Sequence, residues 1–417
     1  MLIKMGYDDL TKALALLSKV VATKGLQEDI KVANFYIQDG KIKVSATDGR
    51  IFCISELEGD FDLKDGTEET SIFAIYIKEA TDILDKFRGL QRTKVDSVEL
   101  NVKDKGVVVT VNEVAKDVEN PEIAKLYNQS TRFMIRKERV KKLLTDELPK
   151  MIVGDGAVEV NSKDLQVYLD YLYTPICRPK NPALVQFLND KVYVILGNVW
   201  GVVMDNNLPE IFRELSLNHY AVGFLKEVVT ESDKFKVTRE ELWGTDTQTG
   251  EPKRTGIILT IGIGRHIVKL KTADETSKIE TKPFTDMPEM QVDIDKFYFL
   301  DVLKRISAYE RAFIEVDIND GIGTMAIKTV KARQQLPIIQ AQGTGQFSFA
   351  VNLEHLTSII FSHITKTIDG VPVDSLKFGF RQSVDPKSVE LTCTDNTGLW
   401  TTKYPRAPKQ EAPKLDF

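Results

Sequence analysis

Hydrophobic and polar positions along the chain repeat at the scale of a domain. A short alternating run leads straight into an amphipathic stretch at residues 71–75 and 77–87, again at 214–218 and 219–229, and again at 347–351 and 352–361. Alternation predicts a half-buried strand, and spacing of 3.6 residues predicts one apolar face of a helix. The helical stripes are Ala80, Ile83, Leu84 and Phe87, then Ala221, Phe224, Leu225 and Val228, then Leu356, Ile359 and Ile360. A recurrence of roughly 130 to 140 residues is domain-sized and far longer than a solenoid period.

The surrounding elements fall in the same order each time. Repeat one opens with a helix over 8–23, with Leu10, Ala13, Leu14, Leu17, Val20 and Val21 on one side and Lys12 and Lys19 on the other, and Gly25 closing it. Strands follow at 30–37, 41–46 and 50–57, the first two joined by an Asp39-Gly40 hairpin turn. A hairpin over 97–102 and 107–112 closes the repeat, and a polar connector spans 116–130. Repeat two is predicted to open with a basic helix over 136–148 stopped by Pro149. Strands at 184–188 and 191–196 follow it, and a hairpin over 257–263 and 266–271 closes the repeat. Residues 154–182 and 244–256 read as insertions, the second as an exposed Gly- and Thr-rich loop. Repeat three has a helix over 295–309 burying Phe299, Val302, Leu303 and Ile306, then strands, with a tail from 407. Helices on antiparallel sheet in this order predict an α+β layered fold.

Composition narrows the function classes. With 417 residues, 42% hydrophobic and 28% charged, the chain has the make-up of a soluble protein of several domains. No apolar run is long enough to span a bilayer, and residues 1–6 show no signal-peptide pattern, so a cytoplasmic protein is expected. Cys53, Cys177 and Cys393 are far apart and read as reduced core residues. The net charge of −5 excludes a wholesale basic nucleic-acid binder. The predicted helices are nevertheless slightly positive in sum and the rest of the chain negative.

Catalytic motifs are sparse. His219, His266, His355 and His363 have no carboxylate or cysteine at metal-ligand spacing, and His355 and His363 are too far apart on one helix to share an ion. Gly262-Ile263-Gly264 lacks the rest of a dinucleotide fingerprint, and no nucleophile elbow or phosphate loop is present. No catalytic residue, metal or cofactor is predicted.

In this arrangement the chain resembles a bacterial-type β sliding clamp, the processivity ring of replicative DNA polymerases, over about its first 406 residues. Ala46-Thr47-Asp48-Gly49-Arg50 resembles a turn that marks the family's middle domain, one domain early, and Cys393-Thr394-Asp395-Asn396 echoes it. Met287-Pro288-Glu289-Met290 resembles the signature linking the second and third domains, and Tyr404-Pro405-Arg406 the family's terminus. Leu196-Gly197-Asn198-Val199-Trp200 departs from the pattern, and the divergence suggests a remote member, of phage type.

The resemblance implies three clamp domains, 1–129, 130–290 and 291–406, with a flexible tail at 407–417. It implies a head-to-tail homodimer ring around double-stranded DNA, held without sequence reading and served by a polymerase and a clamp loader. Helices would line the hole, which puts Lys12, Lys19, Lys78, Lys86, Arg139, Lys142 and Lys304 toward phosphate, with Lys24 in a DNA-touching loop. A cleft for partner peptides would be walled by Leu196, Val199, Trp200, Pro288, Tyr404 and Pro405. Ring closure would use Val107, Val109 and Val111, alternating on a strand without an assigned partner, against Ile306 and Tyr309. The end, Leu415-Asp416-Phe417, resembles a clamp-binding peptide that could dock on the protein itself. The rival reading is a non-enzymatic interaction or virion structural protein built from the same repeat.

Overall fold

The computed structural model describes residues 1–21, 31–38, 40–62, 71–116, 118–138, 153–173, 184–188, 191–196, 199–203, 208–273, 288–306, 311–329, 331–353, 356–357, 367–368, 371–372, 375–382, 387–394 and 398–405. Its elements group into three repeats of one plan. Repeat one contains β1 (Leu2–Met5), α1 (Tyr7–Val20), β2 (Val32–Gln38), β3 (Lys41–Thr47), β4 (Ile51–Leu57) and β5 (Gly59–Asp62). It continues with β6 (Ser71–Tyr76), α2 (Ile77–Leu84), β7 (Thr93–Val102), β8 (Gly106–Ala115), α3 (Pro121–Tyr127) and β9 (Gln129–Arg136).

Repeat two contains β10 (Val158–Asn161), α4 (Ser162–Tyr173), β11 (Leu184–Leu188), β12 (Lys191–Leu196) and β13 (Val199–Val203). Then come β14 (Leu215–Asn218), α5 (His219–Val228), β15 (Lys234–Thr245), β16 (Pro252–Ile263) and β17 (His266–Ala273). Repeat three contains β18 (Met290–Asp295), α6 (Lys296–Ile306), β19 (Arg311–Asn319), β20 (Ile322–Lys328), β21 (Arg333–Leu336) and β22 (Ile338–Gln342). It ends with β23 (Gly345–Asn352), β24 (Thr367–Ile368), β25 (Val371–Pro372), β26 (Ser375–Gln382), β27 (Ser388–Thr394) and β28 (Gly398–Pro405).

The unit of the plan is a strand running directly into a helix, followed by antiparallel strands, and it occurs twice per repeat. Local chemistry starts the helices. The Asn218 side chain accepts from the Ala221 amide at 2.9 Å, and Asp295 accepts from Tyr298 at 2.6 Å, each satisfying a donor left open in a first turn. The apolar stripes go inward: Leu10, Ala13, Leu14, Leu17 and Val20 of α1, and Ile77, Ala80, Ile83 and Leu84 of α2, are buried. In repeat three, Leu353 and Leu356 are buried, and 358–361 lie outside the described residues.

Sheet pairing swaps strands between the two halves of each repeat. In repeat one the opening strand β1 joins β7, β8 and β9, while β6, the strand before α2, joins β2, β3 and β4. Repeats two and three do the same, β10 with β15–β17 and β14 with β11–β13, then β18 with β26–β28 and β23 with β19–β21. Consecutive repeats are then stitched strand to strand: β17 pairs with β4, and β28 with β13, both antiparallel. The chain forms two compact units. The first, Met1–Ser162 with Glu227–Asp274, holds the sheets β5-β1-β7-β8-β9 and β10-β15-β16-β17-β4-β3-β2-β6. The second, Lys163–Lys226 with Glu275–Phe417, holds β14-β11-β12-β13-β28-β27-β26-β18-β22 and β21-β20-β19-β23.

Several expectations are corrected. The opening helix of repeat two is α4, inside the segment read as an insertion, where Ser162 precedes Leu165, Tyr168 and Leu169, all buried at helical spacing. Arg136, expected to start that helix, ends β9 instead, and 139–152 lie outside the described residues. The connector at 116–130 contains α3, capped by Asn120 with Pro121 at its first position. The expected loop over 244–256 is mostly hairpin: β15 and β16 run on to Thr245 and Pro252, and only the tip turns, with Asp246 accepting from the Gln248 amide at 2.8 Å.

Candidate functional site

Ring closure was expected from Val107, Val109 and Val111 on an open edge. The structure overturns this. β8 is paired on both sides, with β7 and with β9, and all three valines are buried. The strand that sequence reading missed, β9, supplies the partner. Ile306 is likewise in its own module's core, 4% exposed, and Tyr309 lies outside the described residues. The open edge is β9 itself, whose outward positions include Arg132, Met134 and Arg136. Its inward Phe133 meets Phe87 edge to face at 5.8 Å. In the second unit, β21 is an open edge, tied to α6 by the Gln334 side-chain amide, which donates to the Tyr298 hydroxyl at 3.2 Å.

The helix cations divide. Lys12 and Lys304 are exposed. Lys78 is exposed and stands 3.9 Å from Asp82, one turn along α2. Lys86 lies over the Phe133 ring, 5.8 Å from its centroid. Lys19 is bound to Glu227 of α5, so part of its charge is answered within the protein. Lys24, Arg139 and Lys142 lie outside the described residues. Across α1 to α6 the Lys and Arg equal the Asp and Glu in number, so the expected positive bias is absent from the described helices. That expectation rested on the basic stretch at 136–148, of which only Arg136 to Glu138 are described.

Of the expected cleft residues, Leu196, Val199, Trp200, Tyr404 and Pro405 are placed by strand register and Pro288 by its contacts. Pro288, half-buried, seats on the sheet over Gly379: a Cβ added there would stand 2.7 Å from the Pro288 Cβ and 2.3 Å from the Thr392 Oγ1. Gly379 is in register with Thr392, Thr392 with Thr401, and Thr401 with Trp200. Pro288 and Trp200 thus mark the ends of one row of four strands, about 14 Å long at the usual strand separation. The register positions between them, Gly379, Thr392 and Thr401, are small residues. Val199, one position from Trp200, is in register with Thr402 and with Leu196. Tyr404 and Pro405 are in register with Val389 and Ser388, three and four positions along β28 from the row. Gly379, which makes the row possible, carried no signal in the sequence beyond being a glycine inside a strand.

One polar constellation looks catalytic and is sealed. Ser55 Oγ is 2.8 Å from His266 Nδ1, and His266 Nε2 is 4.0 Å from a Glu231 carboxylate oxygen. Ser55 is fully buried in the β4–β17 seam, so no substrate reaches its hydroxyl. Burial, with Arg265 next in sequence, lowers the His266 pKa to about 4, and the ring is neutral at pH 7. Among the described residues no group of His, Cys, Asp and Glu could hold a metal ion, and no helix is long and apolar enough to cross a membrane.

Solved structures place this architecture. The DNA polymerase III β subunit of Thermotoga maritima superposes with a TM-score of 0.68 at 11% identity, over 98% of this chain and 100% of that one. The Caulobacter crescentus pol III β gives 0.65 at 13%, over 98% and 100%. The DNA polymerase sliding clamp of Bacillus subtilis gives 0.62 at 10%, over 98% and 100%. The chain therefore has the mixed helix and sheet fold of the bacterial β sliding clamps over 98% of its length. No family model matches it, and no curated protein matches it in sequence.

Proposed function

We propose that this protein is a sliding clamp: copies close head to tail around double-stranded DNA and tether a replicative polymerase, with no chemistry of their own. The observation that carries the reading is an unpaired seam. Strands β4 and β13 are each the third strand after the opening helix of their repeat, and each pairs with a last strand, β17 or β28. The third pair of this kind is β21 and β9, and among the described residues both are sheet edges. A contact between β21 of one copy and β9 of the next repeats the two seams already made. A head-to-tail contact of this kind gives a ring when its rotation closes, and two copies of three modules are the simplest closure.

Three domains, ending near residues 129, 290 and 406, fit the repeat plan, and the pairing of β9 with β8 supports carrying the first to Arg136. Exposed Lys12, Lys78 and Lys304 are the described helix cations offered to phosphate, and Lys24, Arg139 and Lys142 are retained with them. The row between Pro288 and Trp200 is the partner-peptide cleft, reached by polymerase and loader, in a cytoplasmic protein. Light scattering gives the solution mass, with two chains expected. Retention then compares closed circular DNA with the same DNA linearised. Loss from the linear form alone is expected of a ring. A chain that stays monomeric, or that leaves both forms equally, would refute the clamp. The charge balance of the described helices favours the second reading, a multi-domain structural or interaction protein, and equal loss from both DNAs would support it.

A further inference from the structure

Repeat one differs from repeat two at the link between its last two strands. In repeat two, β16 and β17 are joined through the turn at Gly264 and Arg265. That turn reaches across the β4–β17 seam. The Glu56 amide donates to the Arg265 carbonyl at 3.0 Å, and the Arg265 guanidinium binds Asp9, in the first turn of α1, at 2.6 Å. In repeat one the corresponding link, between β8 and β9, carries α3. Helix α3 turns two apolar side chains to solvent, Ile123 at 46% and Leu126 at 74% exposure, and Met134 on the β9 edge is 69% exposed.

The partner edge has apolar surface close to the corresponding places. Antiparallel pairing of β9 with β21, as in the two existing seams, sets the start of β9 beside the end of β21. Helix α3 enters β9 through Asn128, and Pro337 with Ile338 and Ile339 follow β21. Ile339 is 63% exposed. Helix α6 stands in repeat three where α1 stands in repeat one, and its first turn carries Phe297, 48% exposed, one position before the equivalent of the Asp9 that crosses the seam.

On the reading that copies join through β9 and β21, we infer that α3 is a clasp for a second copy of this chain. Ile123 and Leu126 cover the partner subunit's Ile339 and the first turn of its α6. The seam of repeats one and two is fastened by an ion pair, and the seam between copies by apolar contact. A four-residue β21 offers few ladder hydrogen bonds, and exposed apolar side chains at both its flanks gain by mutual burial.

The test uses the full chain. Sedimentation across a concentration series compares the wild type with I123S/L126S. The wild type is expected to form a two-chain species and the double variant to associate at least about tenfold more weakly, with an unchanged melting curve at low concentration. Variants L126C and I339C in a Cys177→Ser background are then mixed and treated with a short bismaleimide. A two-chain product from the mixture, and none from either variant alone, is expected. A two-chain wild type whose self-association is unaffected by I123S/L126S, or that gives no mixed product, overturns the clasp and leaves the seam standing. A wild type that is monomeric throughout overturns both.

Discussion

Lowering the pH should loosen the β4–β17 seam through one histidine. His266 is 3% exposed and stands opposite Ser55 in the register of the two strands. Its Nδ1 shares a hydrogen bond with the Ser55 hydroxyl, and Arg265 adds a like charge nearby, against a Glu231 carboxylate 4.0 Å from Nε2. Burial is the larger cause of a folded pKa of about 4, below the ordinary histidine value of 6.5. A depressed histidine means the unfolded chain binds the proton first. Stability is therefore full above pH 6.5 and falls as pH drops toward 4, where the folded ring also titrates. Between pH 7 and pH 5 the two values give a loss of about 2 kcal/mol from this group. Urea denaturation at pH 7, 6 and 5, followed by tryptophan fluorescence, compares the wild type with H266Q. The variant should start less stable, and its stability should fall by about 2 kcal/mol less over that range. Parallel pH profiles, or a His266 imidazole titrating near 6.5 by NMR in the folded protein, would refute the reasoning.

Substituting Gly379 by Ala places a Cβ within 3 Å of Pro288 and Thr392 and should cost about 1 to 3 kcal/mol, read from the urea midpoint of the wild type and variant. Val109→Asp buries a lone carboxylate between two strands, so it should cost more than about 3 kcal/mol and abolish the cooperative melt. A folded, soluble monomer from that variant would restore the edge-strand reading of β8. Cys53 is fully buried and its thiol is pushed up to about 12, so a thiol reagent at pH 8 should leave it unmodified in the native chain and reach it only on unfolding, as mass mapping would reveal.

Much of the fold was legible because its unit is local. A strand that feeds a helix carries both periodicities in fewer than twenty residues, and the copies at 71, 214 and 347 mark three of the six units. Helix α1 and the Asp39-Gly40 hairpin were legible for the same reason. What failed was longer-ranged or weakly patterned. Strand β9 reads Gln-Ser-Thr-Arg-Phe-Met-Ile-Arg, with Met134 on the solvent side breaking the alternation, so β8 looked like an edge. Helix α4 was passed over for the more basic and more periodic 136–148. Signals for α3 were present in Asn120-Pro121 but stood in a run too polar to suggest a helix with no core to cover. The cleft residues were carried over by likeness of motif, and register divides them, because one residue of slip in a strand changes its face.

The charge pattern bears on contact with DNA, and the seam pattern on closure. Equal numbers of acids and bases on the described helices mean that close DNA binding cannot come from those helices alone. A ring does not need it. In the proposed ring a closed circle would hold a duplex by topology, so phosphate contacts could stay few and weak, and each cation that is answered internally, as Lys19 is by Glu227, would lower friction without releasing the DNA. The demand then shifts to closure. Two of three equivalent seams are built into the chain, with continuous ladders between β4 and β17 and between β13 and β28. The third has a four-residue strand on one side. If topology supplies retention, the strength of that last seam sets how long the protein stays on DNA, and the apolar surface around it, on α3 and beside β21, is where the sequence can tune it.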